Sequence, residues 1–270
     1  MIITSIDALR RRLLLSRMRG RTIGLVPTMG ALHEGHLTLI ARARAECKEV
    51  VVSIFVNPIQ FNQPEDFAHY PRTLESDARQ CSEAGVDVIF APSAEEMYPV
   101  PLATFVDVPS LGEHLCGPHR PGHFRGVATV VMKLFQIVQP DFAYFGEKDA
   151  QQLAVIRRMV RDLNVPVEIV PVQTVREPDG LALSSRNRRL TAEERKIAPM
   201  LYRALGIAAE EGAEKAVEFL RSEPRIRLEY LEVVDPVDMQ PVSGEERPSV
   251  IAIAAWIGNV RLIDNLLVPA

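Results

Sequence analysis

Two histidines stand three positions apart in Pro27-Thr28-Met29-Gly30-Ala31-Leu32-His33-Glu34-Gly35-His36. The apolar run Thr22–Val26 before them reads as a buried strand, and Gly35 to about Lys48 reads as a helix. The histidines therefore fall where a strand hands over to a helix. Gly30 and Gly35 permit tight backbone turns there. Side chains three apart share one helix face, and the free N–H groups of a first helical turn carry partial positive charge. Two imidazole donors over such a terminus suit a polyphosphate without any fixed cation. The plain alternative is a chance pair of capping histidines. The segment has no Gly-x-x-x-x-Gly-Lys and no Gly-x-Gly-x-x-Gly, and its histidines are not at the i, i+4 spacing of a zinc-protease helix.

Four further segments carry polar groups at predicted element ends. Asn57-Pro58-Ile59-Gln60-Phe61 follows a β-branched strand, Glu49–Val56, and offers neutral donors and acceptors; turn chemistry explains Asn-Pro but not Gln60. Arg120-Pro121-Gly122-His123-Phe124-Arg125-Gly126 brings two arginines and a histidine to a flexible loop, or is a solvated charged loop. Gly146-Glu147-Lys148-Asp149 follows the strand Phe142–Phe145 and opens a helix. There Gly146 allows close approach of a ligand, Lys148 can meet a phosphate, and Gln152 points along the face of Asp149. Leu183-Ser184-Ser185-Arg186-Asn187 presents hydroxyls and a guanidinium that can grip phosphate oxygens, or is a surface turn. His114, Cys116, His119 and His123 crowd into one short run, whereas structural zinc usually draws on two separated ligand clusters, so no zinc site is expected. No base-and-nucleophile pair accompanies a cysteine.

The elements that must carry these segments alternate in period. A helix capped by Ser5 runs to about Met18 with Leu9 and Leu13 facing a core. Helices are also predicted over Thr73–Ala84, ended by Gly85, over Gly122–Val138 and over Ala150–Leu163. Strands are predicted over Val86–Phe90 and Val167–Val175. Strands alternating with helices imply a Rossmann-like, doubly wound α/β fold with a parallel sheet, whose ligands bind beyond the strands' carboxyl ends. After Val175 the texture changes. Thr191-Ala192-Glu193-Glu194 reads as a capping box opening a helix to about Ala209. Leu228–Val234, Val250–Ile257 and Val260–Ile263 read as antiparallel strands. The expected division is 1–174, a nucleotide-binding domain, and 175–270, a smaller lid-like α+β domain.

The 270 residues are 47% apolar and 24% charged, with a net charge of -4, so the chain has ample core-forming material. The acidic balance and 6% aromatic content argue against a nucleic-acid partner. No apolar run approaches a membrane span. The N-terminal arginines are followed by too short an apolar stretch for a signal segment. Cys47, Cys81 and Cys116 form no disulfide framework. The cytoplasm is the expected compartment.

The His-x-Gly-His spacing at His33–His36 is similar to that of the nucleotidylyl-transferase superfamily. Beyond it, PTMGALHEGH at Pro27–His36, NPIQF at Asn57–Phe61, YPRT at Tyr70–Thr73, RPGHFRGV at Arg120–Val127, FGEKD at Phe145–Asp149 and GLALSSRN at Gly180–Asn187 follow one another in order. Together they resemble the pantoate–β-alanine ligase (pantothenate synthetase) family. Ile59 and Leu183 vary mildly from its usual residues without removing a polar group. The resemblance implies ATP-dependent condensation of (R)-pantoate with β-alanine through a pantoyl adenylate, with release of pyrophosphate and AMP. It implies His33, His36 and Lys148 as catalytic, with His36 the best candidate acid. ATP would meet Met29, Gly30, Gly35, Gly146, Glu147, Asp149, the Val175 backbone, Leu183, Ser184, Ser185 and Arg186 as well. Pantoate would meet Pro27, Thr28, Met29, Asn57, Gln60, Phe61 and Gln152. Mg²⁺ would arrive with ATP, held by phosphate and water rather than by a dedicated metal site. His123 and Arg125 receive no more than an ordering role. The resemblance implies a homodimer, and the apolar run Val50–Val56 is a candidate for contact. The alternatives are another small-molecule nucleotidylyl transferase, a fragment of a class I aminoacyl-tRNA synthetase, which the acidic balance disfavours, and a non-catalytic nucleotide-binding regulator.

Overall fold

Runs of β-branched and aromatic residues without polar alternation need cover on both faces, and the chain provides it. The computed structural model describes residues 1–242 and 248–269. Strands β1 (Ile2–Ile3), β2 (Ile23–Thr28), β3 (Glu49–Ile54), β4 (Val88–Phe90), β5 (Phe142–Gly146) and β6 (Glu168–Val172) form one sheet in the order β1-β4-β3-β2-β5-β6. Every pairing is parallel, with Val26 opposite Val52 and Leu25 opposite Ala143. Leu25, Val26, Val50, Val51, Val52, Val88, Phe90 and Tyr144 are completely buried. The order reverses between β2 and β5, so the topological switch point lies at the exit of β2. This is the Rossmann-like sheet expected from the sequence.

Helices pack on it by apolar stripes. Ser5 caps Ile6–Met18 by accepting from Ala8 N–H at 3.3 Å, and Leu9 and Leu13 are fully buried. Glu34–Glu46, Leu74–Glu83, His123–Val138 and Ala150–Asp162 follow close to their expected spans. Past Leu74–Glu83, Gly85 takes φ +75°, the left-handed stop that glycine adopts most easily. β2 runs two residues beyond the expected Val26. Its last members, Pro27 and Thr28, pair only with β3, because the ladder to β5 has already ended at Leu25.

A second sheet is antiparallel, β7 (Ile226–Val234), β8 (Ser249–Ile257) and β9 (Val260–Val268), in that order. Leu201, Leu205, Leu220, Ile253 and Ile257 are among the buried residues of its own core. β9 extends past the expected Ile263, since Asp264 is buried in the strand by an ion pair. The single helix expected from Thr191 to Ala209 is two helices, Ala192–Ile197 and Met200–Glu211. Pro199, which has no N–H to donate, stands at the break. The capping box itself forms, with Thr191 N–H donating to Glu194 at 2.8 Å and Glu194 N–H to Thr191 at 3.3 Å. The helices Pro64–Ala68, Ala94–Met97 and Ala213–Arg221 and the two-residue β1 had no counterpart in the sequence reading. Within the contact candidate Val50–Val56, Val50, Val51 and Val52 are corrected: they lie in an interior strand with no exposed surface, whereas Ile54 and Val56 are partly exposed.

The chain groups into two compact units. One comprises Met1–Val108, Pro121–Gly146 and Val155–Val172; the other comprises Pro109–Arg120, Glu147–Ala154 and Gln173–Ala270. The Lys148 segment therefore belongs with the C-terminal strands rather than with the parallel sheet that precedes it.

Candidate active site

In the first unit the site is built at the exit of β2. Thr28 Oγ1 donates to Ser53 O at 2.7 Å and accepts from Gly30 N–H at 3.2 Å, bending the chain off the sheet. Gly30 and Ala31 then take φ +80° and +50°. His33 caps the Glu34–Glu46 helix, and its N–H donates to Nδ1 of His36 at 3.3 Å. The rings lie 4.1 Å apart. With Nδ1 accepting, neutral His36 carries its proton on Nε2. Gly35 leaves space for this: a Cβ there would lie 3.0 Å from His33 Cε1.

Beside the histidines, two distant motifs interlock. Asn57 Nδ2 donates to Gln60 Oε1 at 2.9 Å and to Gly126 O at 3.2 Å. Gln60 Nε2 reaches Met29 Sδ at 2.9 Å, and His123 Nδ1 meets Gln60 O at 2.9 Å. Tyr98 donates to Asn57 Oδ1 at 2.8 Å, and burial raises its phenol above the usual range, keeping it a neutral donor. Gly126 is required by close approach, since a Cβ would sit 2.4 Å from Ile59 O. Phe61 packs edge-on against Phe67 and Tyr70, at 5.4 and 5.6 Å between ring centres. His123 thus has a definite place, buried against the Gln60 backbone. Arg125 is exposed and stacks 3.8 Å from the Phe105 ring centre.

The second unit is organised by charge. Asn265 Nδ2 donates to Glu147 O and Lys148 O, at 2.9 and 2.8 Å, clamping the turn that carries Lys148. Lys148 Nζ is 4.0 Å from Asp149 Oδ2. Arg176 grips Asp264 through two bonds, 2.6 and 2.9 Å, and also donates to Gly180 O and Asn265 O. Leu183 N–H donates to Val175 O at 2.9 Å. Ser184 Oγ accepts from Arg186 N–H at 3.2 Å and caps the short turn Ser185–Arg189. Asn187 Nδ2 ties that turn back to Ala182 O at 3.0 Å. Lys148, Ser184, Arg186, Asn187 and Arg261 line one cavity.

Arg261 is aimed by Glu229, which accepts from its Nε at 2.8 Å and from Trp256 Nε1 at 3.1 Å. Burial alone would raise the Glu229 carboxyl, but the bonds from Arg261 and Trp256 outweigh it and hold the group low. Burial lowers the Arg120 guanidinium; nearby Arg186 and Arg261 push the same way and Cys116 opposes them. Arg186 and Arg261 are thus close enough to Arg120 for their charges to act on it.

Among the sequence-designated residues, Met29, Asn57 and Gln60 are joined in one network, and Gly30, His33, Gly35 and His36 form one turn. Lys148, Ser184 and Arg186 share a cavity. Gln152 is half-buried, whereas its neighbour Gln151 is buried and bonded to Cys116 N, Leu111 O and His114 O. Asp77, Tyr98, Arg176, Asp264 and Arg261 escaped the sequence reading. Only Asp264-Asn265 left a signal, a polar pair inside an apolar strand. Among the described residues, no three or more His, Cys, Asp or Glu side chains are grouped to hold a metal ion. No helix among them is long and apolar enough to cross a membrane.

The chain is an α/β protein with an imidazole pair at the switch point of its parallel sheet and, in its other unit, a cavity lined by a lysine, a serine and arginines. The model of the family described as Pantoate-beta-alanine ligase matches residues 1–267, and the chain belongs to that family. It is 60% identical over 259 residues to the pantothenate synthetase of Heliobacterium modesticaldum, covering 92% of each chain. A crystal structure of pantothenate synthetase from Thermus thermophilus is 50% identical and superposes with a TM-score of 0.93 over 98% of each chain. A Francisella tularensis pantoate-beta-alanine ligase, complexed with Beta-gamma ATP and Beta-alanine, is 38% identical, with a TM-score of 0.84 over 99% of this chain and 97% of that one.

Proposed function

We propose that the chain condenses (R)-pantoate with β-alanine at the expense of ATP, through a pantoyl adenylate. A pantoate carboxylate oxygen attacks the α-phosphorus, and the bond to the bridging oxygen breaks as pyrophosphate leaves. The β-alanine amine then attacks the carbonyl carbon of the mixed anhydride, AMP departs, and the amine loses a proton. Such transfers depend on alignment and charge neutralisation more than on covalent help from the protein. Within a member of this family, the observation that carries the reading is the bond from His33 N–H to His36 Nδ1, which leaves the proton of the neutral His36 ring on Nε2 as a phosphate donor.

In this reading His33 and His36 hydrogen-bond the phosphates as charge develops. Lys148 stabilises the α-phosphate and departing pyrophosphate. Ser184, Ser185 and Arg186 hold the β and γ phosphates, and Gly146, Asp149 and Val175 flank ribose and adenine. Gln60 and Gln152 bind pantoate by neutral hydrogen bonds, with Met29 and Phe61 as apolar walls for its gem-dimethyl group. Mg²⁺ enters as the counter-ion of ATP, with phosphate and water as its ligands. The buried free thiols Cys47, Cys81 and Cys116 suit a reducing compartment such as the cytoplasm. A homodimer, which light scattering would read as twice 30.1 kDa, is part of the same proposal.

The test is exchange of labelled pyrophosphate into ATP with pantoate and no β-alanine. Exchange is expected, together with AMP release once the amine is added. Folded protein without exchange would remove the adenylate.

A further inference from the structure

We propose that Asp77 is a positioning residue for adenylation: its carboxylate fills the anion-binding turn formed after β2 and so fixes the helix start that bears His33 and His36. The proposal rests on the adenylation reading above.

Asp77 lies on the Leu74–Glu83 helix, 1% exposed, and among the described residues it is held by two backbone N–H groups and one hydroxyl. Its Oδ2 accepts from Ala31 N–H at 3.0 Å and from the Thr73 hydroxyl at 3.1 Å, and its Oδ1 accepts from Leu32 N–H at 2.9 Å. All three partners donate, so the group acts as a carboxylate with both oxygens engaged. The two backbone N–H groups converge because Gly30 and Ala31 both take positive φ. Consecutive N–H groups presented in this way form a concave nest for anions. For Ala31 the left-handed conformation is disfavoured and must be held from outside. Gly30 is held to glycine twice over: by φ +80° and because a Cβ would stand 2.9 Å from Asp77 Oδ2. Two residues beyond Ala31 the chain reaches His33.

The chain's own carboxylate thus occupies the nest immediately upstream of the helix terminus. An incoming phosphate is denied that position and meets the imidazoles instead. The next turn adds no opposing charge: burial, then the Asp77 charge, raise the Cys81 thiol to about 11. A buried carboxylate that served packing alone would have no reason to hold the loop in a strained conformation.

The experiment uses the full chain and separates the two half-reactions. One is pantoate-dependent pyrophosphate exchange; the other is attack of β-alanine on synthetic pantoyl adenylate. Asp77→Asn, which retains one acceptor oxygen and places an amide against an N–H donor, is expected to slow exchange about 10²-fold through misplacement of the histidines. Amine attack should stay within about threefold, because it does not call on the histidines' phosphate contacts. Thr73→Val, which removes only the third donor and protects the test should Asp77→Asn fold poorly, is expected to slow exchange about threefold to tenfold, again alone. In Asp77→Gly, formate added at increasing concentration should restore exchange by refilling the nest. Unchanged exchange in Asp77→Asn, equal loss in both half-reactions, or absence of formate rescue would each overturn the proposal. A wild-type chain without pantoate-dependent exchange would instead overturn the adenylation reading.

Discussion

The residues around His36 and those around Lys148 are held by different physics. Apart from the Asp77 carboxylate in the turn upstream of the histidines, the ties near His36 are neutral: backbone N–H groups, amides, one phenol and one thioether, packed so closely that Gly126 has no room for a methyl group. Near Lys148 the frame is ionic, with Arg176 paired to Asp264 and Arg261 to Glu229. Neutral networks hold position by fit and leave no net charge to compete with a small hydroxylated acid. Ionic frames aim cations while leaving others, such as Lys148 and Arg186, at a cavity that suits polyanions. A defect should accordingly show as misfit in the first region and as stranded charge in the second.

The largest expected effects bear on whether both regions serve the same chemistry. His36→Ala and Lys148→Ala should each lower kcat by about 10²-fold or more, about 3 kcal/mol in the transition state. Steady-state release of AMP measures both, and near-wild-type turnover in either variant would take that residue off the catalytic list. A similar energy, but in stability, is expected from Arg176→Met. It leaves Asp264, only 5% exposed, as an uncompensated buried charge, a loss of about 3 kcal/mol in urea unfolding. A change under about 1 kcal/mol would mean that the frame is not ionic in the sense argued.

In the neutral region the matching defect is Gly126→Ala. Its methyl group would meet the carbonyl of Ile59 at 2.4 Å, so the Pro58–Gln60 turn or the His123–Val138 helix has to shift. Overpacking of this kind costs about 1–3 kcal/mol. Because the displaced turn carries Gln60, KM for pantoate should rise more than KM for ATP. Equal rises in the two constants would break the assignment of this region to pantoate.

Sequence patterning made the parallel sheet legible, because buried central strands carry unbroken β-branched runs such as Val50–Val52. The motifs were legible because polar and glycine residues interrupt the pattern where strands end. What stayed hidden was pairing across long separations. Asp264 is 88 positions from Arg176, and nothing in either neighbourhood announces the other. Asp77 looked like any acid on an amphipathic helix, since two of its three partners are backbone groups that carry no side-chain signature. The burial of Gln151 beside half-buried Gln152 was equally beyond periodicity, as both stand at a helix start. The Thr191–Ala209 helix was overextended for another reason: apolar spacing continues through Pro199 although the hydrogen-bond ladder does not.

The smallest predicted effect tests whether Ser184 belongs to the ionic region as a ligand or only as a cap. Ser184→Ala removes the acceptor for Arg186 N–H, worth about 1 kcal/mol as a helix cap. It also removes a hydroxyl from the cavity that Lys148 lines. The two losses separate with Ser184→Asn, because asparagine caps about as well as serine but carries no hydroxyl. If Ser184 only shapes the turn, Ser184→Asn should restore both unfolding free energy and KM for ATP. If the hydroxyl meets phosphate, Ser184→Asn should recover the stability lost in Ser184→Ala and still show KM for ATP raised about fivefold to tenfold, the loss of one charge-assisted bond. The second result is expected, since Lys148 and Arg186 on the same cavity give that hydroxyl an anion to share.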